Sequence, residues 1–141
     1  MNKHLKIFKM MMAILRDRER FYGNTVSFIV YKNEIISIGY STSKTHPFQK
    51  RFGKTPNHIS LHAEVDAIHK ASKRLSDKEF SKATIYVARL KHRINSYHEV
   101  EPMIGISKPC SGCTSAIITF GIRNVFYTID SEINNIKFDR W

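Results

Sequence analysis

The chain has 141 residues, 42% of them apolar and 25% charged, and a formal net charge of +11. That length suffices for one domain with its own core, and no apolar run approaches membrane-spanning length, which excludes a helical membrane protein. Two cysteines are too few for a disulfide scaffold and fit a reducing cytoplasm better than a secreted location.

The charge is unevenly spread. Residues 1–60 hold eleven Lys and Arg against three acids, a balance of +8, whereas residues 61–141 carry +3. Such a basic excess implies an anionic partner, a nucleotide phosphate or a nucleic acid, unless it serves only solubility.

In chain order, the opening MNKHLKIFKMMMAILRDRER lacks a small-residue cleavage site, so no secretory leader is expected. Leu5, Phe8, Met12 and Leu15 recur at helical spacing, the pattern of an amphipathic helix packed on a core. A membrane-surface helix, on Lys3, Lys6 and Lys9, is the weaker reading. Asn24 to Tyr40 then reads as a β-hairpin, with β-branched and aromatic arms and a polar turn near Lys32 and Asn33. Ser41 to Ser60 has two prolines, Gly53 and no acid, the composition of a loop. Phe48 and Phe52 interleave there with Lys44, Lys50, Arg51 and Lys54. Because that loop feeds into His62, it is expected to rim a pocket. Its cations suit either a single phosphate or a strand with stacking bases.

LHAEVDAIHKA, Leu61 to Ala71, predicts a helix that starts at His62 and Glu64, with Val65, Ile68, Ala71 and Leu75 on its apolar face. Ser76 to Lys82 is a polar connection, and ATIYVARL is a third strand. Lys91 to Ile106 has no firm assignment, though an extension of the third strand into a hairpin returning along Pro102 fits it. Pro109 and Cys110 mark a second helix start, with Ala116, Ile117 and Phe120 on one face and Gly121 at its end. RNVFYTI is a fourth strand, and the tail from Asp130 to Trp141 reads as a short closing helix. Helix, hairpin, helix, strand, helix, strand is an α/β order. Strands joined through helices tend to run parallel, which puts both helix starts at the sheet's carboxyl edge, where ligands bind.

The chemistry lies in two short stretches. A catalytic zinc takes about three imidazole or thiolate ligands and keeps one position for water, and His62, Cys110 and Cys113 supply such a set. Glu64, two residues after His62, is the candidate proton shuttle, since displacing an amino group requires protons to be delivered. Helix N-termini carry partial positive charge, which favours the thiolates. Other readings of C-x-x-C are a redox pair or half of a structural zinc site, the latter needing a fourth ligand such as His58 or His69. Haem attachment is excluded because Thr114 follows Cys113. His92, His98, Glu99 and Glu101 form at most a weak second metal candidate.

H-x-E…P-C-x-x-C is the signature of zinc-dependent nucleobase deaminases. On IISIGY, LHAEVDAI, TIYV, KPCSGC and AIITFGIRNVFYT in that order, the chain resembles the cytidine deaminase superfamily over roughly Val26 to Ile129. Within it, the chain is most similar to the deoxycytidylate deaminase branch of bacteria and tailed phages. The resemblance implies a cytidine deaminase-like mixed β-sheet flanked by helices, and one zinc-dependent deaminase domain over residues 1–141. It implies zinc on His62, Cys110 and Cys113, Glu64 as proton shuttle, and the Ala63 amide against the base. Asn24, Ser41, Lys44, Lys50 and Arg51 are the further candidates for substrate contacts. A cytoplasmic homo-oligomer acting on a small nucleotide is implied, in the host cytoplasm for a phage protein.

The sequence departs from that branch at Gly39 to Thr42, where GYST replaces GYNG. His62 disfavours the nucleoside-level deaminases, which place Cys there. The expected reaction is hydrolytic deamination of a cytosine nucleotide, dCMP first. The alternatives are cytosine or adenine in single-stranded DNA, RNA or transfer RNA, and a non-catalytic zinc-containing module, against which an intact Glu64 argues.

Overall fold

The computed structural model describes residues 2–18, 24–42, 47–52 and 62–141, with positions 48–50 in backbone only. Within these, α1 (Lys3–Asp17) precedes the hairpin of β1 (Thr25–Tyr31) and β2 (Glu34–Tyr40). Then come α2 (Pro47–Phe52), α3 (Ala63–Ala71), α4 (Asp77–Phe80), β3 (Thr84–Ile94) and β4 (Val100–Gly105). The chain ends with α5 (Ser111–Thr119), β5 (Asn124–Ile129) and β6 (Lys137–Arg140).

The strands form one mixed sheet in the order β2-β1-β3-β5-β6, with β4 pairing the far half of β3. β1 runs antiparallel to β2 and β3, and β3 runs parallel to β5. The β1–β2 turn is made by Lys32 and Asn33, both at positive φ (51° and 62°), which is the tight turn that matches strand twist.

Period-two alternation in the strands sorts side chains onto the two faces. Tyr86, Ala88, Val26, Phe28 and Phe126 face α1, which buries Phe8, Met11, Met12 and Leu15 against them. Ile85, Val87, Ile29 and Val125 face the opposite way and pack with Val65, Ile68 and Ala71 of α3 and with Ala116 and Ile117 of α5. Helices on both faces of a mostly buried sheet are the α/β arrangement expected from the sequence.

Three expectations change. The tail is a strand, not a helix: β6 pairs antiparallel with β5, and Phe138 joins the α1 face of the core. The basic segment 41–60 is not all loop, because α2 forms within it and buries Phe52. The polar connection after α3 contains α4, closed by a capping box in which Ser76 and Glu79 exchange hydrogen bonds. The unassigned stretch does extend β3 to Ile94, returning as β4 from Val100.

Candidate active site

α3 is fixed to the sheet before it presents anything to solvent. A Cβ on Gly39 of β2 would lie 2.1 Å from the Ala63 carbonyl oxygen and 2.4 Å from the Ala67 amide nitrogen. Only glycine allows α3 to approach this closely. Ser37 Oγ donates to the Ala67 carbonyl at 2.8 Å, and the Tyr40 amide donates to Asp66 at 3.0 Å. His62, with extended backbone, is the N-cap of α3, so Glu64 falls in its first turn.

α5 is held from the other side. Ser107 Oγ donates to the Val87 carbonyl at 2.7 Å, its amide donates to the Thr128 carbonyl at 3.0 Å, and Thr128 Oγ1 donates to the Gly105 carbonyl at 2.8 Å. This buried network ties the segment entering α5 to β3 and β5, and such networks rigidify when fully satisfied. Cys110 is the N-cap of α5, and its Sγ accepts from the Cys113 amide at 3.5 Å.

The two helix starts therefore bring three soft donors together. His62 Nδ1 lies 3.6 Å from Cys110 Sγ and 3.3 Å from Cys113 Sγ, and all three donor atoms lie within 4.8 Å of one another. Zinc–nitrogen and zinc–sulfur bonds at a tetrahedral angle put the ligand atoms about 3.6 Å apart, so the spacing fits a shared zinc ion. Glu64 stands outside this donor group and is only 6% exposed.

The electrostatics agree with that division. Burial raises the pKa of the Glu64 carboxyl above its usual range, partly offset by hydrogen bonding, including a bond with the Cys113 thiol. The Cys110 thiol is pushed down to about 3, first by its hydrogen bond with Cys113 and also by His62. Cys113 is pushed up by the same bond and by burial. A divalent metal held here would require both cysteines as thiolates, so its binding would release protons. The Cys110 hydrogen bond raises the His62 imidazole, against burial.

These side chains open into a cleft of about 320 Å³, which His62, Glu64 and Cys110 share with Ala63, Thr25, Ser41, Arg89, Ser107 and Lys108. The chain matches the cytidine and deoxycytidylate deaminase zinc-binding region over residues 1–129. It belongs to that family. The deaminase is accordingly a hydrolase, and zinc is the metal to which its His62, Cys110 and Cys113 donors correspond. No curated protein sequence matches it. Among solved structures it is similar to a dCMP deaminase from the cyanophage S-TIM5 in complex with dCMP and dUMP, at 17% identity and a TM-score of 0.50. That match covers 89% of this chain and 81% of the cyanophage chain, and supports the fold. The apo form of the cyanophage enzyme matches at 18% identity, covering 83% and 80%, with a TM-score of 0.45.

Of the expected substrate contacts, Ala63 and Ser41 line the deaminase's cleft. Ser41 is tied to Thr25, its amide donating to the Thr25 carbonyl at 3.2 Å. Asn24 is not among the lining residues, and its carbonyl accepts from the Leu90 amide at 2.8 Å within the sheet. Arg51 is also elsewhere, its guanidinium 5.0 Å from the Phe52 ring. Lys44 and the Lys50 side chain lie outside the described residues. Among the described residues, the cations that reach the cleft are Arg89 of β3 and Lys108, neither of which sequence reasoning picked out. Lys108 sits two residues before Cys110, and that proximity was the available signal.

Proposed function

We propose that this deaminase converts a cytosine nucleotide to its uracil counterpart, with dCMP as first substrate, consuming water and releasing ammonia. The observation that carries this reading is a buried carboxyl beside three zinc-type donors, in a cleft that also holds two cations. When bound, zinc acidifies water and so supplies a nucleophile at neutral pH.

The chain's own residues do the rest. As the C4–O bond forms, Glu64 takes a proton from the attacking water and passes it to ring N3. It then takes the remaining proton of the former water from the C4 hydroxyl and delivers it to the exocyclic nitrogen, so that the C4 carbonyl forms, the C4–N bond breaks and ammonia leaves. A buried carboxyl with a raised pKa suits both directions of transfer. The Ala63 amide, at the open first turn of α3, donates to the base. Arg89 and Lys108 receive the phosphate, the role first expected of the basic loop. dCMP is the substrate to offer first because the cyanophage fold relative was crystallised with dCMP and dUMP.

The test is ammonia release by the zinc-loaded protein from dCMP, deoxycytidine, a cytosine-containing single-stranded oligonucleotide and transfer RNA in parallel. Turnover of dCMP with little from the polymers is expected. Turnover confined to the polymers would overturn the substrate class while keeping the deaminase. No turnover of any of the four would overturn the substrate reading altogether.

A further inference from the structure

A second cavity, of about 510 Å³, lies between α1, the β1–β2 turn and the start of β3. It shares no lining residue with the cleft. β3 passes both, with Thr84 and Tyr86 lining the cavity and Arg89 lining the cleft, the nearer pair about 10 Å apart at strand rise. Its volume falls in the range of about 300–1,000 Å³ typical of small-molecule sites.

The chemistry of the walls is sharply divided. Ile7 and Met10 on one side of α1, with Val30 and Ile35 of the hairpin, form an apolar floor. Around it stand Lys3, Lys6, Lys32 and Lys82, and among the described residues no carboxylate lines the cavity. None of the four amines is in an ion pair among the described residues. Lys32 also acts on the Glu79 carboxylate, which Ser76 already holds in the α4 cap. Met10 is 43% exposed at the apolar edge. Cations gathered round one cavity repel, with Glu79 offsetting Lys32 alone, and an anion relieves that repulsion.

We propose that this cavity binds a nucleotide unit, with its phosphates on the lysines and its base on the apolar floor. Lysine ammonium groups are point-charge phosphate binders. An inorganic phosphate would use the rim and leave the floor empty. Asn33 and Thr84 add neutral hydrogen-bonding groups for a base edge. The same chemistry is presented by a free nucleoside triphosphate and by a single strand of nucleic acid, and the experiment distinguishes them.

Calorimetric titration of the zinc-loaded full chain with ATP, pyrophosphate and a twelve-residue oligothymidylate tests the site. ATP is expected to bind more tightly than pyrophosphate. Lys6→Ala combined with Lys82→Ala should weaken ATP binding at least about tenfold, and Met10→Glu should weaken it without changing the unfolding temperature by more than a few degrees. Binding of oligothymidylate alone, with a salt slope reduced by about one per lysine removed, would keep the site and assign it to a strand. Equal affinity for pyrophosphate and ATP, binding unchanged by the double substitution, or no binding of ATP or oligothymidylate would each overturn the proposal. Ammonia release from dCMP by the lysine variants reports separately on the cleft, to which these lysines do not belong.

Discussion

At the scale of single residues, the site sets three donors suited to a metal beside a carboxyl outside that group. Glu64→Gln keeps size and shape but removes the titrating oxygen. It should lower turnover by at least about 10²-fold, the usual worth of a positioned acid–base group. Zinc content, measured by atomic absorption, should stay at the wild-type level. Residual turnover within tenfold of wild type would reject the shuttle. The convergence of His62, Cys110 and Cys113, with Glu64 in the same cleft, was legible from the sequence because His-x-Glu and Pro-Cys-x-x-Cys sit at helix starts, where local spacing fixes their positions. Arg89 and Lys108 were not. Arg89 is one exposed residue in a strand, and only the pairing of β3 with Thr25 on one side and Gly105 on the other brings it to the cleft. The Asp130 carboxyl is held low first by Lys91, 3.0 Å away, and also by Arg89, and among the described residues the Arg89 guanidinium is in no ion pair. Arg89→Ala should therefore raise KM for dCMP roughly tenfold or more, the worth of one charge-assisted hydrogen bond. kcat should change little, and deoxycytidine turnover should be unaffected. An equal loss with deoxycytidine would mean that Arg89 acts on the base or the fold.

At the scale of elements, the decisive contact is the close approach of α3 to β2. A methyl group at Gly39 would meet backbone atoms of Ala63 and Ala67, not the movable end of a side chain. The strand or the helix must then shift, and the shift reaches the His62 cap directly. Gly39→Ala should cost at least about 3 kcal/mol, the upper part of the range for overpacking, read as a lower denaturation midpoint. It should also weaken zinc binding, because His62 and Glu64 ride on the displaced turn. A variant with wild-type midpoint and zinc affinity would show that the approach is relaxed at little cost. The long elements were legible because their apolar periods are complete: α1 with Phe8, Met12 and Leu15, and β3 with Ile85 and Val87. The short ones were harder. α4 has only four residues, yet its start is written as Ser76 followed three residues later by Glu79. α2 begins at Pro47, a favoured first helical position, and was hidden by the basic loop composition around it.

At the scale of the whole molecule, the two ends of the chain meet on one face of the sheet. Half-buried His4, in the first turn of α1, stacks on Phe126 of β5 with ring centroids 4.1 Å apart, and its Nδ1 lies 2.7 Å from the Tyr86 hydroxyl. Phe138 of β6 completes the cluster against His4 and Phe8. This closure explains why the tail is a strand although its sequence reads otherwise. Lys137 to Arg140 is exposed to solvent at three of four positions, so no period-two signal is visible, and only Phe138 packs inward. Burial, then the charges of Lys3 and Arg140, hold the His4 pKa below its usual 6.5. The unfolded chain therefore takes up this proton first as pH falls through about 6.5, while the folded chain resists it. Stability contributed by neutral His4 is full above that value and declines on acidification until the lower folded-state pKa is passed. Urea midpoints of wild type and His4→Gln, compared at pH 7.5 and pH 5.5, isolate this group from the other histidines. Wild type should lose more stability over that interval than the variant. Equal losses would mean that His4 titrates alike in both states and that its contact with Tyr86 and Phe126 does not discriminate between protonation forms.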